Sequence, residues 1–179
     1  MSQDAMSLRT GLMVRHGSCQ GEEVLEAFVL ALKAEGVRVG GVYQRTIGQD
    51  CACKQMTLVD ALSGEVIPIS QNLGRGSNSC VLDGDGLASA AVAVQRARTE
   101  GVDLLVFNKF SSRECEGKGL ALEMFDAMAD GVPVLTTIAE RYLPRWQEMS
   151  GGVGSLLPAS VPALRAWWEQ ARVPENPLA

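Results

Sequence analysis

LRTGLMVRHGSCQGEEVLEAFVLALKAEGVRVGGVY, residues 8–43, changes its apolar rhythm twice, and those changes decide the fold. Residues 8–14 are mostly apolar and run into the polar turn Arg15-His16-Gly17-Ser18, which reads as a short strand leaving a core. From Gly21 the apolar positions Val24, Leu25, Phe28, Val29 and Leu32 recur at helical spacing. Glu22 and Glu23 stand at the positive end of that helix and Gly36 at its exit. Residues 37–43 return to β-branched side chains. Strand, helix and strand in this order and size predict a βαβ unit with a right-handed crossover.

The alternation continues downstream. Residues 46–80 are rich in Gly, Ser, Asn and Gln, and the segments 56–62 and 65–70 flank Ser63-Gly64, which predicts an inserted β-hairpin. Residues 85–100 predict a helix with Leu87, Ala90, Ala91 and Val94 inward, and 102–107 a continuous buried strand. A third helix is expected over about 116–130 and a strand over 132–136. Helices then follow over 140–148 and 161–172, the last capped by Ser160 with Leu164, Trp167 and Trp168 on one face. The expected architecture is α/β: three layers, a mainly parallel sheet with helices on both faces. One domain is expected over 1–179, with the hairpin and a Gly/Ser-rich insertion at about 46–84.

Composition narrows the function classes. The chain of 179 residues is 46% hydrophobic and 21% charged, an ordinary globular balance, and its formal charge of −5 speaks against nucleic acid, whose phosphates require a basic surface. No apolar run approaches the ~20 residues that cross a bilayer. The opening MSQDAMSLRTG lacks the regions of a signal peptide, so membrane insertion is not expected and a cytoplasmic location is. The five cysteines, Cys19, Cys51, Cys53, Cys80 and Cys115, read as reduced thiols.

In an open parallel sheet, ligands sit at the carboxyl ends of strands, where helix N-termini present unpaired N–H groups and the positive end of the dipole. Three segments fall there. RHGSCQGEE, residues 15–23, follows the first strand and offers Gly17, Ser18 and Gly21. It has no Gly-Lys-Ser/Thr ending, and so lacks both the lysine for β/γ-phosphates and the hydroxyl that holds Mg²⁺. A plain strand-to-helix turn accounts for the same residues. NKFSSRECEGKG, residues 108–119, sets Asn108, Lys109, Arg113 and Lys118 before a helix, with Glu114 and Glu116 to orient the cations; it suits an anion, and it also suits a solvated loop. GRGSNSCVLD, residues 74–83, places Arg75 and Ser77 among small residues whose N–H groups can converge on a tetrahedral oxyanion, or simply form a surface loop. His16 with Cys51, Cys53 and Cys80 matches no usual zinc spacing, so no metal site is assigned. One histidine supports no Ser-His-Asp arrangement, and no catalytic residue is assigned.

Six segments together carry a specific likeness: VGGVYQR (39–45), LGRGS (73–77), CVLD (80–83), DLLVFNKF (103–110), ECEGKG (114–119) and GVPVLT (131–136). They resemble a bacterial family of unknown function whose genes commonly lie beside those for molybdate uptake and molybdenum enzymes. The resemblance spans most of the chain and implies a fold like that of P-loop nucleoside-triphosphatases, in which an acidic Walker B pair ends a later strand. Here Asn108-Lys109 stands where that pair would be, and Ser111 where the family usually carries Gly. Both halves of the NTP–Mg²⁺ machinery are therefore altered.

The resemblance and the residues together imply a nucleotide- or oxyanion-binding accessory protein of molybdenum metabolism with a degenerate P-loop. Its ligand would be a small anion, nucleotide phosphate or molybdate, with nucleotide or Mg²⁺ as the cofactors to consider. A rival reading is a divergent, slow nucleoside-triphosphatase in which Glu22 or Glu23 holds the metal and Lys109 replaces the P-loop lysine. A third is a protein-interaction module, with Trp167-Trp168 joining copies into a homo-oligomer.

Overall fold

The computed structural model describes residues 2–16, 20–47, 55–71, 81–82 and 84–173. In chain order its elements are α1 (Gln3–Arg9), β1 (Thr10–Arg15), α2 (Gln20–Ala34), β2 (Val39–Ile47), β3 (Gln55–Asp60), β4 (Val66–Pro68), β5 (Ser70–Gln71) and β6 (Val81–Leu82). Then come α3 (Gly84–Glu100), β7 (Leu104–Phe110), α4 (Ser112–Cys115), α5 (Ala121–Ala129), β8 (Val134–Ala139), a 3₁₀ turn (Glu140–Tyr142), α6 (Leu143–Ser150), β9 (Ser155–Pro158) and α7 (Val161–Ala171).

Seven strands form one sheet in the order β4-β3-β2-β7-β8-β1-β9, and β5 pairs separately with β6. The five strands from β2 to β9 are parallel, as in the pairings Leu12↔Thr136, Val106↔Leu135 and Val39↔Leu104. The hairpin β3–β4 adds to β2 in antiparallel fashion. Asp60 fixes its turn by accepting hydrogen bonds from Leu62 N at 2.9 Å and Ser63 Oγ at 2.8 Å. The expected mainly parallel sheet with an inserted hairpin at Ser63-Gly64 is the architecture found.

Two apolar layers sandwich the sheet. On one face α2 buries Leu25, Phe28, Val29 and Leu32 against Met13, Val106 and Leu135, and α7 adds Leu164, Trp167 and Trp168. On the other, α3, α5 and α6 contribute Val94, Met124 and Trp146 to a layer with Leu105, Phe107 and Ile138. Each such side chain is worth roughly 1.5–3 kcal/mol when fully buried. The split follows from right-handed crossovers. The chain steps outward from β1 to β2 with its helix on one face, and returns through β7, β8 and β9 with its helices on the other. Trp167 and Trp168, only 5% and 4% exposed, close the core. Among the described residues, no helix is long and apolar enough to cross a membrane.

Four local expectations are corrected. Leu8 and Arg9 do not begin the first strand; they end α1, which Ser2 caps by accepting from Ala5 N at 3.2 Å, and Leu8 is half exposed. The strand read over 102–107 starts two residues later and runs on through Asn108 and Lys109 to Phe110, because pairing with β8 resumes at Phe110↔Ile138 after an irregularity. The helix expected from about residue 116 is two helices, α4 and α5, separated by Gly117 and Gly119, whose φ of 72° and 65° lie in the left-handed region. Strand β9, whose residues alternate between half-buried and exposed, was not anticipated; it forms the sheet edge beside β1.

Candidate functional site

β1 and β8 are neighbours, yet the chain leaves β1 for α2 on one face and leaves β8 for α6 on the other. That divergence opens a crevice at the carboxyl edge of the sheet, the place where open α/β sheets bind ligands. A cavity of about 310 Å³ lies at this edge; its polar lining includes Arg15, Asn108, Lys109, Arg113, Arg141 and Tyr142.

Each polar group is held by identifiable local chemistry. Arg15, the last residue of β1, lays its side chain across the first turn of α2 because Gly21 has no side chain: a Cβ there would stand 2.6 Å from Arg15 Cδ. Arg15 Nε is buried without a hydrogen-bond partner among the described residues. Asn108 is 7% exposed; its Oδ1 accepts from Thr137 Oγ1 of β8 at 2.8 Å, while its Nδ2 is left without a partner among the described residues. Lys109 lies beside it, half-buried. Burial, and next the positive charge of Arg15, lower the Lys109 pKa, against smaller opposing effects of Glu22, Glu114 and Tyr142.

Beyond β7, the buried Glu114 pins the turn: its carboxylate accepts from Ser111 N at 3.0 Å and Ser111 Oγ at 2.7 Å, and from Leu120 N at 3.5 Å. The same carboxylate occupies the space that a Cβ on Gly119 would need. This loop carries Arg113 to the cavity. In the 3₁₀ turn after β8, Arg141 stacks its guanidinium over the Tyr142 ring at 4.8 Å, and both line the same space.

The structure therefore brings Asn108, Lys109 and Arg113 around one cavity, with Gly21 beneath Arg15 at its edge. Lys118 is not among the lining residues; it is exposed and paired with Glu116 at 2.7 Å. Gly17, Ser18, Arg75 and Ser77 lie outside the described residues, as do Cys19, Cys51, Cys53 and Cys80. Sequence reasoning did not single out Arg15, Arg141 or Tyr142. The signal for the first is its place as the terminal residue of a parallel strand; for the others it is the segment directly after β8.

Mg²⁺, which fold likeness brings to mind, does not fit the end of β7. A hard cation wants oxygen ligands. Here Asn108 Oδ1 is taken by Thr137, the unused atom is a donor, Lys109 adds positive charge, and Glu114 is engaged by backbone and hydroxyl donors. The same donors and cations suit an anion.

A mainly parallel sheet, helices on both faces and a carboxyl-edge crevice after β1 define an open, three-layer α/β scaffold with a ligand site at its carboxyl edge. The solution structure of a human cancer-related nucleoside triphosphatase shares the fold, with a TM-score of 0.57 over 83% of this chain and 87% of that one at 15% identity. The chain belongs to the family described as "Protein of unknown function (DUF2478)", which matches residues 12–167. It is also 40% identical over 148 residues to a protein of Bradyrhizobium diazoefficiens named "Molybdenum import ATP-binding protein ModC 2"; the matched segment is 82% of this chain and 16% of that relative.

Proposed function

We propose that the chain is a nucleotide- or oxyanion-binding accessory protein linked to molybdate uptake or molybdenum metabolism, whose NTPase-like scaffold recognises an anion without hydrolysing nucleotide rapidly. The observation that carries this reading is the end of β7. A half-buried lysine and a buried amide N–H group without a partner among the described residues line a cavity at the carboxyl edge, where hydrolases of this fold class need an acidic metal ligand. The cations and donors there complement phosphate, molybdate or another tetrahedral oxyanion. The likeness to a relative named for molybdenum import supports the choice of pathway; because that relative is several times longer than the matched segment, this chain corresponds to one module of it. A cytoplasmic location belongs to the same reading.

Calorimetric titration against ATP, GTP, molybdate, tungstate and sulfate tests the proposal. Saturable binding of one or more is expected, and no heat above dilution with any of them would overturn it. The rival reading, a slow nucleoside-triphosphatase, draws on one observation: Glu22 is buried in the first turn of α2, close enough to Lys109 to influence its charge. Mg²⁺-dependent hydrolysis of ATP or GTP is expected to stay well below the ~1 s⁻¹ floor of ordinary turnover; reaching it would favour the rival.

A further inference from the structure

We infer that the carboxyl-edge cavity takes a small organic anion, a ring-sized apolar body bearing a phosphate-like group, in preference to a free tetrahedral oxyanion. This rests on the anion-binding reading and narrows it. The cavity volume of about 310 Å³ reaches the ~300–1,000 Å³ range of sites for small organic molecules, whereas a tetrahedral oxyanion is only four oxygens around one centre.

The lining also changes character across the sheet. Toward β1 and β8 it is Arg15 and Arg141, with Lys109 of β7 between; toward the hairpin side it is the apolar Leu58 of β3, Ile69 beyond β4 and Leu87 of α3, with Gln44 of β2 opposite Leu58. An inorganic dianion satisfies the first group and leaves the space beside Leu87 to water. Moved inward, it loses hydration and leaves the cations for the neutral amide donors of Gln44 and Asn108. A molecule with both parts satisfies both ends, its anionic group at the cations and its body against Leu87 and Ile69. Asn108, more than nine-tenths buried and with Nδ2 unpaired among the described residues, supplies a donor at the junction and favours a body that carries an acceptor.

Phenyl phosphate and inorganic phosphate share a headgroup and differ by a ring, so they are the probes. Titrated at one fixed salt concentration and pH, phenyl phosphate is expected to bind the wild-type chain about tenfold tighter or more, the worth of partly burying a ring. Leu87→Ser, at a half-buried position of α3, should bring phenyl phosphate close to the affinity of phosphate and leave phosphate unchanged. Leu87→Ala replaces it if circular dichroism shows the first variant unfolded, and the wild-type comparison needs no variant. Equal wild-type affinities for the two probes, both weakened by Lys109→Ala, would overturn the inference while the anion-binding reading stands. Binding of neither probe, nor of molybdate, sulfate or nucleotide, would overturn both.

Discussion

The two edges of the sheet use their charge differently. The amino-edge depression, bounded in part by Arg9, Glu35, Asp130 and Glu169, has a volume of about 690 Å³, more than twice the 310 Å³ at the carboxyl edge. Size alone would make it the site. Its charged groups, however, already have partners. Arg9 donates to the carbonyls of Ala171 at 3.2 Å and Gly131 at 2.7 Å, Arg98 pairs with Asp130, Glu35 with Arg165 at 2.5 Å, and Glu169 with Arg172 at 2.7 Å. At the carboxyl edge, Asn108 Nδ2 and Arg15 Nε have no hydrogen-bond partner among the described residues, and Lys109 lies half-buried beside them. Leaving a buried donor unpaired costs roughly 1–3 kcal/mol, and a ligand that accepts from it recovers that cost. Unused hydrogen-bonding capacity, rather than volume, therefore marks the functional edge.

Removing charge from one edge at a time is the strongest way to break this contrast. Lys109→Ala combined with Arg113→Ala should weaken binding of whichever anion titrates by about 3–6 kcal/mol, because hydrogen bonds to charged groups contribute roughly 1.5–3 kcal/mol each. Arg172→Ala, at the amino edge, should change it by less than about 0.5 kcal/mol. Titration at a single salt concentration makes the comparison. Equal losses at the two edges would mean diffuse attraction by surface charge, which salt screens, and the distinction would dissolve.

How much of this was legible follows from whether each signal is local. α2 and α7 announce themselves because Leu25, Phe28, Val29 and Leu32, and again Leu164, Trp167 and Trp168, repeat at helical spacing; the hairpin is written in Ser63-Gly64. α1 was obscured because the apolar Leu8 precedes the strand and is half exposed, and β9 because four residues at a sheet edge alternate too briefly to register. Asn108, Lys109 and Arg113 were legible as site candidates from their place after an apolar strand. Arg15, Arg141 and Tyr142 needed the topology: only when β8 inserts between β1 and β7 do the ends of three distant segments meet. Lys118 illustrates the opposite failure, a cation in the right segment that its neighbour Glu116 engages at the surface.

Arg9→Ala sharpens the contrast from the other side. Arg9 joins the last turn of α1 to the turn after α5 and to the end of α7 through two backbone carbonyls. Its loss leaves both acceptors short of a donor and should destabilise the fold by about 1–3 kcal/mol in urea unfolding. Anion affinity of the folded variant should match the wild type. A stable Arg9→Ala protein with weakened binding would reverse the roles given to the two edges.

The smallest expected effect concerns Lys109 itself. Burial and the Arg15 charge hold its pKa below the ordinary value of 10.5 in the folded chain. Between the lowered pKa and 10.5 the unfolded chain therefore binds more protons than the folded one, so stability rises with pH across that window. The penalty is complete below the folded pKa and gone above the unfolded one. Lys109→Met keeps most of the side chain and removes the charge, so it should stabilise the unliganded protein near neutral pH, by less than about 1 kcal/mol since the ammonium group is partly solvated. The gain should shrink as pH approaches 10.5, read as the difference between wild-type and variant urea midpoints at several pH values. Wild-type anion affinity should fall over the same window, as the lysine that receives the anion loses its proton. A stability difference that stays constant with pH would show that packing, not a partly buried charge, sets the cost of Lys109, and the carboxyl edge would lose one mark of a site that receives an anion.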